Sequence, residues 1–197
     1  MSDGTNLGEL TLNSPGRHFV SNALAAVAVA RELEIPFSTL AAALANFKGV
    51  ERRFEIKGEF GGVLVVDDYG HHPEEVRATL KAARENFPRR LIVVFQPHRY
   101  TRTQALFHEF LSAFDDADVL ILTPIYPAGE EPIAGVRSEA LYQSIRKRGH
   151  LEVRFVPDRD SLLSEIVSLI RPGDLLLTLG AGDIHRVGED LIRHLES

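Results

Sequence analysis

The chain has 197 residues, 44% of them hydrophobic, with 15 glycines and 10 prolines, enough for one α/β core plus a smaller appendage. A net charge of −6 gives no overall attraction to nucleic acid or to an anionic membrane, so any basic site must be a local cluster. With no cysteine, disulfides and thiolate metal sites are excluded. Met1-Ser2-Asp3-Gly4 lacks the basic and apolar regions of a secretory leader, and the Ala23 to Ala30 apolar run is too short to span a bilayer, so a cytoplasmic protein is expected.

In chain order, Leu7 to Leu12 reads as a short strand ended by Asn13-Ser14-Pro15-Gly16. Arg17 to Leu33 reads as a helix apolar nearly all round, which calls for burial on most sides. Ile35-Pro36-Phe37 breaks it, Ser38 caps a second helix, and Gly49 ends that one. One short strand and two helices cannot bury this much apolar surface alone. Residues 1–50 are therefore expected to be the end of a domain, and 51–197 a domain of their own.

From Arg52 the pattern changes. Phe54 to Phe60 and Val63 to Asp67 flank Gly61-Gly62, a two-residue hairpin loop needing positive φ. Asp67-Asp68-Tyr69-Gly70-His71-His72 then turns into a helix opened by Pro73-Glu74-Glu75. Strands Leu91 to Phe95, Val119 to Leu122, Val153 to Val156 and Leu175 to Leu179 alternate with helices at Thr103 to Phe114, Ser138 to Arg148, Ser161 to Ile170 and a last one after Gly180-Ala181-Gly182-Asp183. The fold predicted is α/β: a Rossmann-like, doubly wound, mostly parallel six-stranded sheet, five strands parallel and one antiparallel hairpin strand, preceded by a short helical remnant of another domain.

Residues able to carry chemistry fall at the strand ends, where open α/β sheets bind ligands. In Gln96 to Thr103, Arg99 and Arg102 suit a bidentate fork for a carboxylate or phosphate, against the alternative that they are solvated or paired with local acids. Their coincidence with Asp68, His71 and His72 favours the fork. Adjacent histidines rarely point the same way, so one of His71 and His72 is expected to be functional and the other structural, with no metal site made by both. Asp67 and Asp68 either hold Mg²⁺ or cap the following helix. Gly180-Ala181-Gly182-Asp183 is either a phosphate-cradling turn or a packing turn. His18 and Asn22, four apart, share a helix face and either reach a ligand across an interdomain gap or form an exposed first turn.

Asp67-Asp68-Tyr69-Gly70-His71-His72-Pro73, Phe95 to Thr103, Tyr126-Pro127-Ala128-Gly129-Glu130 and Gly180 to Ile184, in this order, resemble the C-terminal part of the Mur ligases of peptidoglycan synthesis. Gly16-Arg17-His18 with Asn22 to Ala26 resembles the tail of that family's central ATP-binding domain, with Phe19 departing from its usual asparagine. The resemblance implies ATP-dependent amide formation through an acyl phosphate, with ATP, Mg²⁺, UDP-N-acetylmuramate and L-alanine as reactants and cofactors. Carried over, His71, Arg99 and Arg102 match positions that hold the amino acid and the transferring phosphate. Asp68 matches a ribose contact, Tyr69 a neighbour of the ATP site, and His18 and Asn22 the adenine side.

A tripeptide-adding paralogue of the same family shares the His-His-Pro turn, but its arginine-bearing loop is expected to differ. No Gly-x-x-x-x-Gly-Lys-Ser/Thr loop occurs, so the chain is expected to be a catalytically silent C-terminal piece of a ligase, with Mg²⁺ and most of ATP bound elsewhere. The competing readings are a free-standing nucleotide-binding regulatory module and a partner-protein surface. Self-association through the helix at 17–33 is also expected.

Overall fold

The structure, a computed structural model, describes residues 4, 6–149 and 152–196. The start Met1 to Asp3, read above for its lack of a leader, lies outside them. The chain divides into two compact units, Met1–Val50 and Glu51–Ser197.

The first unit is a helical pair, α1 (Arg17–Glu32) and α2 (Phe37–Asn46). α1 ends where Glu34 takes a left-handed conformation (φ 56°) and Ile35 N–H returns to Ala30 O at 2.8 Å. α2 begins one residue before the predicted Ser38 cap: Pro36 holds the N-cap position and no side chain caps the helix. Leu7 to Leu12 is not a strand. Its alternation has no sheet to join, since the described residues of this unit offer only helices, and a lone strand leaves its backbone groups unpaired. The Asn13 amide instead donates to Ala45 O (2.8 Å) and Phe47 O (3.1 Å), closing the α2 carboxyl end.

The second unit is a six-stranded sheet with helices on both faces: β1 (Glu55–Phe60), β2 (Val63–Asp68), α3 (Pro73–Asn86), β3 (Leu91–Phe95), α4 (Tyr100–Ala105), α5 (Phe107–Phe110), β4 (Val119–Leu122), α6 (Ser138–Lys147), β5 (Glu152–Phe155), α7 (Arg159–Leu169), β6 (Leu175–Leu179) and α8 (His185–Glu196). β1 and β2 form the antiparallel hairpin, with Gly61 and Gly62 at φ 56° and 78° as a two-residue turn of this kind needs. The other pairings are parallel, in the order β1-β2-β6-β3-β4-β5. One face buries Val65, Ile92, Ile121 and Leu176 against Ile166 of α7 and Val187 and Leu191 of α8. On the other face Phe95 packs on Phe110 and Phe114, with ring centroids 5.5 and 5.0 Å apart. The helix predicted from Thr103 begins at Tyr100 and breaks at Leu106, whose φ of −108° interrupts the turn between α4 and α5.

This strand order sets where a ligand can enter. The chain runs β2, β3, β4, β5 along the sheet, then returns to insert β6 between β2 and β3. Segments that follow neighbouring strands leave to opposite faces at β2/β6/β3 and again at β4/β5, opening crevices at the strands' carboxyl ends.

Candidate functional site

The crevice at β2/β6/β3 gathers the segments after β2, β3, β4 and β6. Its floor is held by Arg52, which sequence reasoning did not single out. Arg52 Nε donates to Asp67 Oδ2 (2.9 Å), Nη2 to Gly180 O (2.6 Å) and Nη1 to Gly182 O (3.2 Å), tying the hairpin to the ends of β2 and β6. Asp67 Oδ1 accepts from Thr178 Oγ1 at 2.6 Å. Asp68 is 4% exposed and accepts from Phe54 N–H (2.7 Å) and Gly70 N–H (2.6 Å). Burial raises the Asp68 pKa, opposed by those two backbone hydrogen bonds.

Both aspartates are thus engaged within the fold, and neither the metal nor the helix-cap reading holds for them. Asp68, which the resemblance matches to a ribose contact, keeps acceptor lone pairs beyond these two hydrogen bonds. Among the described residues no group of three or more His, Cys, Asp or Glu is placed to hold a metal. The Gly180-Ala181-Gly182-Asp183 turn offers carbonyls to Arg52, the opposite polarity from a phosphate cradle. Its glycine at 182 serves packing: a Cβ there would lie 2.3 Å from Gln96 Oε1 and 2.7 Å from Tyr126 Cγ.

His71 and His72 point differently. His72 is the structural one: it caps α3, its Nδ1 accepting from Glu74 N–H at 3.3 Å while Glu75 Oε2 accepts from His71 N–H (2.9 Å) and His72 N–H (3.1 Å). His71 turns into the crevice, its ring 5.5 Å from both Tyr69 and His98. His71 Nδ1 lies 3.0 Å from Tyr69 O, and a carbonyl can only accept, so Nδ1 carries the proton and Nε2 of the neutral ring is an open acceptor. Burial lowers the His71 pKa, the Tyr69 hydrogen bond and Glu75 oppose this, and Arg102 and Arg53 add to the lowering.

The β3 segment supplies the cations. Arg102 Nη1 donates to His98 Nδ1 (3.1 Å) and His98 O (3.2 Å), and among the described residues Arg102 has no carboxylate partner. Arg99 sits 3.9 Å from Glu130 Oε1, so the local-acid alternative holds for that arginine at ion-pair distance. Arg99 also takes φ 73°, an uncommon conformation for a side-chain-bearing residue, held by its N–H bond to Tyr126 O at 2.8 Å. Glu130 accepts from Thr101 N–H (3.1 Å) and Thr101 Oγ1 (2.6 Å), contacts that hold its carboxyl below the usual range. His98 stacks on Tyr126 at 5.6 Å. Burial, followed by His71, Arg102 and Arg99, pushes His98 down to about 4. Arg52 and Arg53 lie 5.0 and 5.6 Å from the Tyr69 ring centroid.

The second unit therefore brings together Tyr69, His71, Arg99 and Arg102 and adds Arg52, Arg53, His98, Tyr126 and Glu130. Tyr126 and Glu130 had a signal in the Tyr-Pro-Ala-Gly-Glu motif, and Arg52-Arg53 in a basic pair opening the hairpin. His18 and Asn22 belong to the first unit, on α1, where His18 packs on Phe19 with ring centroids 4.3 Å apart and Asn22 is exposed.

The second unit is thus a doubly wound α/β domain that gathers guanidinium groups and imidazoles at the carboxyl ends of its strands. Residues 52–182 match the family described as "Mur ligase, glutamate ligase domain". The chain belongs to the Mur ligase family. It is 56% identical over 192 residues to the UDP-N-acetylmuramate–L-alanine ligase of Geotalea daltonii, covering 98% of this chain and 42% of that protein. It is also 56% identical over 195 residues to the protein of that name from Geobacter sp. strain M21, with the same coverages of 98% and 42%. The crystal structure of the UDP-N-acetylmuramate–alanine ligase of Thermotoga maritima superposes with TM-score 0.80 at 31% identity, covering 99% of this chain and 41% of that one. The chain thus spans about two fifths of the length of the relatives it matches. Among the described residues no helix is long and apolar enough to cross a membrane.

Proposed function

We propose that this chain is the C-terminal part of an ATP-dependent ligase that joins L-alanine to UDP-N-acetylmuramate. In this reading the first unit is the end of the central ATP-binding domain, with His18 and Asn22 toward adenine. The second unit is the domain that closes on ATP and carries the amino acid, with Tyr69 bordering the nucleotide. The observation that carries the reading is the Arg102–His98–His71 group: a guanidinium with no carboxylate partner among the described residues, hydrogen-bonded to one imidazole whose ring lies 5.5 Å from another.

In the overall reaction the γ-phosphoryl of ATP passes to the muramate carboxylate, releasing ADP. The alanine nitrogen then attacks the acyl carbon, the bond to the phosphate oxygen breaks, and the nitrogen loses a proton as the amide forms. Arg102 and Arg99 grip the alanine carboxylate, Arg99 leaving Glu130 for it. His71 Nε2 accepts a hydrogen bond from the amino group and orients its lone pair toward the acyl carbon, gains of positioning rather than of new covalent chemistry. Holding His71 and His98 neutral matters, because an imidazolium at either place would repel the ammonium form of the substrate. Mg²⁺, implied for the family reaction, does not fit the described residues, with Asp67 and Asp68 both engaged, and would be held elsewhere. Asp68 stays in the ligand set toward the ribose, through the acceptor sites that its two backbone hydrogen bonds leave.

Identities of 56% to proteins named for L-alanine support this amino acid over a tripeptide. The test is a chimera in which this chain replaces the matching two fifths of the Geotalea daltonii ligase. It should retain L-alanine ligation, and Arg102→Ala should raise KM for alanine by roughly tenfold or more, the worth of one charge-assisted hydrogen bond. The chain alone should bind ATP–Mg²⁺ only in the millimolar range and form no product. Micromolar ATP binding that is lost on replacing Arg99 and Arg102, or ligation by the chain alone, would overturn the reading in favour of a self-sufficient nucleotide module.

A further inference from the structure

At the second reversal of the sheet, between β4 and β5, a cavity of about 490 Å³ opens against the amino end of α6. Ile125, Ile133, Val136 and Phe155 give it apolar walls, and Arg137, Ser138 and Glu139 form a polar edge. Arg137 holds the N-cap position of this ten-residue helix, yet no side chain caps it. Ser138 comes one residue too late: at the N-cap its hydroxyl would accept from a first-turn N–H, but from the first helical position it does not make that bond. Its Oγ accordingly has no hydrogen-bond partner, although Ser138 is 2% exposed and lines the cavity. Buried hydroxyls left in this state are rare in folded proteins, and each calls for an explanation. Arg137 is exposed, has no ion-pair or hydrogen-bond partner among the described residues, and also borders a neighbouring cavity of about 260 Å³.

We propose that this cavity is a binding site for a small organic carboxylate with a branched apolar body. The carboxylate oxygens accept from Ser138 Oγ–H, from the free N–H groups of the first turn of α6 and from Arg137, while the body lies on Ile133, Val136 and Phe155. A monoanion is favoured over phosphate, because among the described residues Arg137 is the one guanidinium lining the site and the Glu139 carboxylate shares the same turn. The site is distinct from the His71–Arg102 group: it has Pro124, Ile125 and Pro157 in common with the smaller crevice beside Gln96 and Asp183, but contains none of the imidazoles and neither Arg99 nor Arg102. It does not depend on the ligase reading.

The test is an amide NMR titration of the full chain with 4-methylpentanoate, beside acetate and inorganic phosphate. The branched acid should shift the Ser138 and Glu139 amides saturably and bind at least several-fold more tightly than acetate. Ser138→Ala and Arg137→Gln should each weaken it by roughly tenfold. Ser138→Ala should melt no lower than the parent, since it removes an unpaired buried hydroxyl, so its loss of binding is not a loss of fold. Arg102→Ala should leave the titration unchanged. Equal responses to acetate and the branched acid, preference for phosphate, no saturation, undiminished binding by Ser138→Ala, or shifts at Gln96 to Arg102 in place of Ser138 and Glu139 would each overturn the proposal.

Discussion

Replacing Arg52 by methionine tests how the crevice floor is held, keeping much of the aliphatic stem while removing the guanidinium. That group makes one ion pair and two bonds to strand-end carbonyls, and its side chain is 17% exposed against 5% for Asp67. In the variant Asp67 keeps only the Thr178 hydroxyl, and the Gly180 and Gly182 carbonyls lose their donor. Breaking a buried pair costs about 3–5 kcal/mol, and the partial exposure of Arg52 places this one near the lower figure. For a unit of this size, about 3 kcal/mol lowers Tm by roughly 6–12 °C. Calorimetry on the parent, Arg52→Met, Asp67→Asn and the double variant gives the full cycle. The double variant should recover part of the loss, because the aspartate charge disappears with its partner. A Tm drop below about 2 °C, or strict additivity of the two changes, would refute the idea that this pair fastens the hairpin to β2 and β6.

His98, pushed down to about 4 from a reference of 6.5, should stay neutral as pH falls from 7 to 5. Between those two pKa values the unfolded chain takes up a proton that the folded one refuses, so this contribution to stability is full above about 6.5 and falls away toward 4. A ring NMR titration with a midpoint near 6.5 would contradict it. Gly182→Ala should destabilise the second unit by about 1–3 kcal/mol through overpacking against Gln96 and Tyr126, and an unchanged melting curve would count against that. Val20, Leu24 and Val29 leave apolar surface exposed on α1, and concentration-dependent self-association is expected by sedimentation, weakened by Leu24→Lys. A monomer at all concentrations would count against it.

Three of the strands buried on both faces were legible to the residue, and β2 runs one residue past its expected end at Asp67. Leu91–Phe95, Val119–Leu122 and Leu175–Leu179 are uninterrupted apolar runs because helices cover both sides. β5, an edge strand with half-buried Glu152 and Arg154, lies one residue earlier than its apolar signal. Leu7 to Leu12 misled because alternation does not reveal whether a neighbouring strand exists. The His71/His72 division became visible only through the α3 cap, which depends on the Glu75 side chain as much as on either histidine. Arg52 escaped notice because its partners lie 15 to 130 residues away, and no local pattern encodes so distant a set. The position of β6 between β2 and β3 was equally hidden, since a parallel strand reads the same wherever it inserts.

That insertion dictates how the sheet can form. β2 and β3 have no hydrogen bonds to each other in this sheet; each pairs with β6, the last strand to be synthesised. Until residues 175–179 are available, β1-β2 and β3-β4-β5 are two separate ladders with open inner edges. Completion of the second unit is therefore a late, long-range event, slow in the way that non-local parallel pairing is slow and exposed to edge-to-edge aggregation meanwhile. The same event builds the crevice, because the β6 turn carries the carbonyls that Arg52 grips. A chain truncated before Leu175 would lose the ladder and the site in a single step.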